Sequence, residues 1–362
     1  MPSSASALAR TPGTGRRDGV APRRASLALA AAVALLVGVT SGCGVRLEQP
    51  EPPPVTADAA ETARGDAVAD AAAIATAATS AQSDPAAAPA IDRLAQIAAA
   101  STAHAEDLGG EWAGATTDDA TTTPADAPTG TPTETPPVTD LAGTVALLVT
   151  GYDDARAGLA QVSPPTATVL TSVALWRALA AHEVVATTGV VPATPLPTGG
   201  TDTNALRLAS FRDVDALVRG LDAAAYAYEV LAARDGDDAR QSDWNRRAST
   251  LRRTGELLAA RAGASGGEAD PRDAIYDVGP LLDGDPVASA VALETEIASL
   301  WVTSDLPAAS RTVALDAALE AMLRARALGA TGPLDSPGVI LPGLPGPATS
   351  TDTDPATPDQ DG

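Results

Sequence analysis

Few residues in this 362-residue chain have the type and spacing that chemistry needs. Cys43 is its only cysteine, so no disulfide forms within one chain. His104 and His182 are its only histidines. Ser101 and Leu179 stand three residues before them, so neither belongs to a Glu-x-x-His pair. A di-metal site in a four-helix bundle takes two such pairs plus further carboxylates, because positions i and i+3 of a helix point inward together. No histidine follows residue 182, so the C-terminal half cannot build that site. An all-carboxylate alternative centres on Glu294. At about 100° per residue it shares a helix face with Val287, Val291, Ala298 and Trp301, whereas Glu296 points away. A carboxylate on an apolar stripe is costly unless paired. Asp222, Glu229 and Glu320 could join it around a metal ion, or Arg219, Arg252 or Arg324 could pair with it. The ion pair is favoured, since buried acids are usually paired. His104 and His182 each lie on an apolar face near a helix C-terminus. A shared site is the alternative to two packed imidazoles where positive charge is favoured. Trp112, Trp176, Trp244 and Trp301 read as core plugs. There is no Ser/His/Asp or Cys/His arrangement, no glycine-rich phosphate loop and no zinc spacing.

Cys43 has a different chemistry. Residues 1–24 carry five arginines against the single acid Asp18. An apolar run from Ala25 to Val39 follows, and then Thr40-Ser41-Gly42-Cys43. A basic region, a short apolar region and small residues before a cut make an export signal. A cysteine directly after the small residues makes it a lipobox, in which the thiol receives a diacylglycerol. Thr40 stands where leucine is usual, and Arg23-Arg24 only weakly suggests twin-arginine export. The sequence therefore predicts an exported, lipid-anchored envelope protein.

All 24 basic residues are arginine, the chain is rich in alanine, and only nine residues are aromatic. This composition reflects coding bias in a genome of high GC content. Cleavage before Cys43 leaves 19 arginines and 45 acids, a net charge of −26. Such a surface repels nucleic acid and anionic headgroups. It keeps the protein soluble and attracts cations only diffusely.

Alanine-rich stretches with apolar residues at three-to-four spacing alternate with breaks rich in Pro, Thr and Gly, and no stretch alternates as a strand does. A tether covers 43–56, with Pro50 and Pro52-Pro53-Pro54. Helices are predicted at 57–81, 89–108, 139–161, from after Pro164-Pro165 to 187, and at 210–234, 237–262, 285–303 and 306–328. The break at 109–137 and the tail at 331–362 have the composition of disorder; the Thr/Pro runs could carry O-linked sugar. A linker spans 188–208, and 263–284 is rich in Gly and Asp. Asp285-Pro286 is a cap followed by a first-turn proline, and Gly329 fits a helix end. Eight helices in two groups of four predict an all-α fold of two packed bundles, 57–187 and 209–330, the second joined as ferritin-like bundles are. Cores of alanine, leucine and valine bury little area per side chain. Either bundle alone is marginal, and the two should pack together.

Within the second bundle, residues 213–234, with Tyr226 and Tyr228 at the positions of its tyrosines, resemble the first helix of an actinobacterial ferritin-like lipoprotein domain of unknown function. Val291-Ala292-Leu293-Glu294, followed by Trp301, resembles its third helix. Ile340-Leu341-Pro342-Gly343-Leu344-Pro345 resembles its closing segment without the aromatic residue. The resemblance spans about residues 209–345. Leu221 and Asp222 stand where that family has Glu-His, and Glu229 replaces a glycine. The resemblance therefore implies that any metal site of relatives is lost or altered here. The expectation is a non-enzymatic interaction or structural module without a cofactor. The alternative is a metal- or small-ligand-binding domain with a degenerate carboxylate site at Glu294, Asp222, Glu229 and Glu320.

Overall fold

Short polar residues before alanine-rich runs set where the helices begin. Asp58, Asp140, Asp237 and Asp285 each accept a hydrogen bond from a backbone N–H of the first turn, which satisfies donors that would otherwise be orphaned. The computed structural model describes residues 56–112, 140–209, 211–279 and 284–330, all within one compact unit, Val55–Gly362. Among these residues there are nine α-helices and no strand. Helices α1 (Ala59–Ala81), α2 (Ile91–Asp107), α3 (Leu141–Gly158) and α4 (Pro164–Thr188) form the first bundle. The short α5 (Thr203–Leu208) precedes the second bundle. That bundle comprises α6 (Asp215–Arg234), α7 (Asp238–Ala262), α8 (Pro286–Thr303) and α9 (Arg311–Ala327). In each bundle consecutive helices pack as hairpins, α1 on α2, α3 on α4, α6 on α7 and α8 on α9. The hairpins are joined by α1 against α3 and α6 against α8.

The all-α architecture of packed bundles follows the sequence closely. The signal region, Cys43, most of the tether, residues 113–137 of the 109–137 break and the 331–362 tail lie outside the described residues. Gly329 ends α9 with φ of 100°. The predicted 188–208 linker contains α5, whose N-cap Asp202 accepts from the N–H groups of Asn204 and Ala205 while Leu206 is fully buried. A cap and one apolar plug suffice for a single turn once it can lean on α7. A 3-10 turn at Pro85–Ala90 leads into α2, and another at Ala308–Ser310, after Pro307, delays α9.

Helix α4 organises the whole. Every residue from Leu170 to Ala181 is buried, as expected of a helix that is apolar all round. By length and composition α4 could cross a membrane, but it packs against α3 on one side and against α8 and α9 on the other. The bundles therefore share one continuous core. Polar bonds fix their register. Tyr152 donates to Asp316 at 3.0 Å, and Arg156 grips the same carboxylate through Nε and Nη2 at 2.9 and 2.6 Å. Arg311 donates to the carbonyls of Leu159 and Val162, which close the end of α3.

The stretch 189–202 is irregular but tied down. Gly199, at φ 68°, lies so close to α9 that an added Cβ would stand 2.5 Å from the Glu320 nitrogen and 2.7 Å from the Asp316 oxygen. Gly200 N–H donates to that Asp316 carbonyl, and Thr201 donates its N–H and its hydroxyl to the Glu320 carboxylate.

Candidate functional site: a buried charge network in the second bundle

Each of the four helices of the second bundle sends a polar side chain to its centre. Glu294 of α8 is completely buried. Its Oε1 accepts from Tyr228 of α6 at 2.8 Å, from Arg247 Nε of α7 at 2.9 Å and from Arg324 Nε of α9 at 3.1 Å. Its Oε2 accepts from Arg247 Nη2 at 2.6 Å. The fork of Arg247 thus holds the carboxylate through two parallel bonds, the strongest form of this pairing. The network continues outward. Arg247 Nη1 reaches Glu320 at 2.8 Å, and Arg324 Nη2 reaches Asp243 at 2.9 Å. Burial raises the Tyr228 hydroxyl pKa, and the Glu294 charge adds to that, so the phenol stays a hydrogen-bond donor. For Arg324 burial disfavours the charge, but Glu294 and Asp243 more than offset it and raise its pKa.

This arrangement accounts for the carboxylate on an apolar stripe. Of the three arginines that the sequence offers as partners, Arg324 does reach Glu294. Arg219 instead donates to the Pro271 carbonyl, and Arg252 pairs with Glu229 and lies 3.7 Å from Asp222. The principal partner, Arg247, escaped the sequence reading. Its signal is visible in retrospect. It is an arginine on the stripe of Trp244, Ala248 and Leu251, and it is 5% exposed.

The four candidate metal ligands do not converge on one point. Glu294 and Glu320 meet at Arg247, whereas Asp222 and Glu229 meet at Arg252 nearer the surface, where Tyr276 also donates to Asp222 at 3.0 Å. Among the described residues no group of three or more His, Cys, Asp and Glu is placed to hold a metal ion. Both Glu294 oxygens already accept from guanidinium groups, so a cation at this carboxylate would meet two positive charges.

The two histidines serve different contacts. His104 on α2 is buried with its ring edge-on to Trp176 of α4, centroids 4.8 Å apart, and its Nδ1 has no hydrogen-bond partner. Burial, with the nearby Arg177 charge second, pushes its pKa down to about 3. His182 Nε2 donates instead to the Pro197 carbonyl at 2.7 Å. Trp176, Trp244 and Trp301 are core plugs as expected. Trp112 is not: it is 43% exposed, beyond the turn at Gly109-Gly110 that ends α2.

The first bundle has its own buried cation, which the sequence reading did not single out. Arg177 of α4 is 1% exposed and donates to the carbonyls of Ala67 at 2.7 Å and Gly151 at 2.8 Å, with Asp70 at 3.3 Å. Gly151 makes the room, because a Cβ there would stand 2.9 Å from the guanidinium. Burial lowers the Arg177 pKa despite Asp70. Burial also raises that of Asp70, with Asp154 and Asp66 adding to the rise against the pull of Arg177.

Comparison of the chain with protein-family models, with curated proteins and with solved structures returned no match.

Proposed function

We propose that the chain is a lipid-anchored protein of the cell envelope, held through Cys43 on the extracytoplasmic face, and that it acts as a non-enzymatic interaction or structural module. The observation that supports the second half is the saturation of Glu294. Its two oxygens accept four hydrogen bonds from Tyr228, Arg247 and Arg324, which leaves neither oxygen free where the four helices of the second bundle converge polar groups. A network of this kind specifies how the helices pair. The ferritin-like resemblance is part of this proposal. In that reading, Arg247 and Arg324 hold the bundle centre that metal would hold in a di-metal relative.

The anchor half rests on the run from Ala25 to Cys43. Cys43→Ala should move the protein from the membrane fraction to the soluble or secreted fraction, and mass spectrometry of the native N-terminus should find an acylated cysteine. Retention of the variant on membranes, or an unacylated N-terminus, would show that a thioether lipid is not what holds it.

A further inference from the structure

The strap of residues 189–202, which joins the two bundles, is held at few points. None of its residues is buried. Among the described residues, no backbone N–H from 191 to 199 donates a hydrogen bond, and Pro192, Pro195 and Pro197 have none to give. Past Val190 the fastenings cluster at Pro197–Thr201. His182 Nε2 donates to the Pro197 carbonyl, Gly200 N–H donates to the Asp316 carbonyl, and Thr201 gives its N–H and its hydroxyl to Glu320 Oε2 at 3.0 and 3.2 Å. A segment with few buried contacts and few backbone bonds opens locally, well before the elements around it unfold. The other oxygen of the same carboxylate serves the bundle centre. Glu320 Oε1 accepts from Arg247 Nη1 at 2.8 Å, and the rest of that guanidinium holds Glu294.

We infer that residues 197–201 form a releasable latch on α9, coupled through Glu320 to the Glu294 network, so that lifting the strap loosens Arg247 and loosening Arg247 frees the strap. While the latch is closed, Thr201 and Arg247 clamp the Glu320 carboxylate through its two oxygens. When the strap lifts, Oε2 loses both donors. The Glu320 side chain is 28% exposed, so water replaces them and the carboxylate regains rotamers that the clamp denied it. Arg247 is 5% exposed, so water restores little of what its Nη1 loses as Glu320 swings free. The coupling runs both ways, because a free energy shared by two sites is reciprocal. Binding that draws the strap away from α9 is thereby felt where the four helices of the second bundle meet. The inference depends neither on the membrane anchor nor on the ferritin-like resemblance.

The test perturbs one end and reads the other by NMR hydrogen exchange. Gly199→Ala pushes the strap off the α9 backbone. It should speed exchange of the Gly200 and Thr201 amides and also, by about tenfold, exchange of the buried Arg247 Nε–H that bonds Glu294. Amides of the α1–α2 hairpin should change by less than about twofold, as distant sites do. From the centre, Glu320→Gln removes the charge that Thr201 and Arg247 both face, and it should speed exchange of the Gly200 and Thr201 amides. The double variant should speed them by less than the product of the two single effects. Thr201→Val, which removes only the hydroxyl bond, is a milder release and should move both probes in the same direction. Faster strap amides with an unchanged Arg247 Nε–H would overturn the inference, as would an equal acceleration throughout both bundles or fully multiplicative effects in the double variant.

Discussion

Acid should destabilise the first bundle through His104 in a way that a single substitution abolishes. The imidazole is buried against Trp176 with Nδ1 unpartnered, and its pKa is pushed from 6.5 to about 3, by burial first and by Arg177 second. In the unfolded chain it titrates near 6.5. Below that pH the unfolded state gains a proton that the folded state refuses. The stability contributed by the neutral imidazole is therefore complete above about pH 6.5 and is lost as pH falls toward 3. At about 1.4 kcal/mol per unit the full loss approaches about 5 kcal/mol, and between pH 7 and pH 4.5 it is about 2.7 kcal/mol. His104→Phe keeps an aromatic edge on Trp176 and removes the titration. Urea unfolding at the two pH values, in wild type and variant, isolates this contribution, because the many surface carboxylates titrate alike in both. The wild type should lose about 2–3 kcal/mol more than His104→Phe between pH 7 and pH 4.5. Equal losses in the two proteins, or a His104 NMR titration near pH 6.5, would refute the reasoning.

Other substitutions probe the second bundle. Glu294→Ala takes from buried Arg247 and half-buried Arg324 their shared acceptor, leaving each with one outer carboxylate, and should cost about 3–5 kcal/mol. Arg324→Met should cost less, because Arg247 still holds Glu294 through two bonds; denaturant midpoints that reverse this order would contradict the geometry. Gly199→Ala forces a side chain into the left-handed region, at about 1–2 kcal/mol, and against the backbone of α9. It should lift the 189–202 stretch from α9 and open it to limited proteolysis, and unchanged cleavage would show that the stretch is not held there.

Much of the fold was legible because alanine-rich sequence punctuated by proline and glycine states its helices plainly. Asp285-Pro286 and Gly329 ended up where caps were expected. What was hidden depends on contacts far apart in sequence. Helix α5 is a short helix inside a Pro/Gly/Thr segment, sustained by its Asp202 cap and by packing on α7. Trp112 had the composition of a plug but lies past the end of its helix. The burial of Glu294 could be read from a single stripe, and so could its need for a partner. The identity of that partner could not, because a helical stripe does not say which helix it faces. Arg247 lies 47 positions away, and Arg324 lies 30 positions away on the other side. The His104 environment was hidden for the same reason: its proximity to Arg177 arises only when α2 packs on α4.

The proposed closure of the Glu294 site to metal by Arg247 and Arg324 is tested most directly by titrating chelator-free protein with Fe(II), Mn(II) and Zn(II), followed by metal analysis and thermal melting. The network predicts less than one metal per chain and no shift in melting temperature. Stoichiometric metal that stabilises the protein and is lost in Glu294→Gln would contradict it.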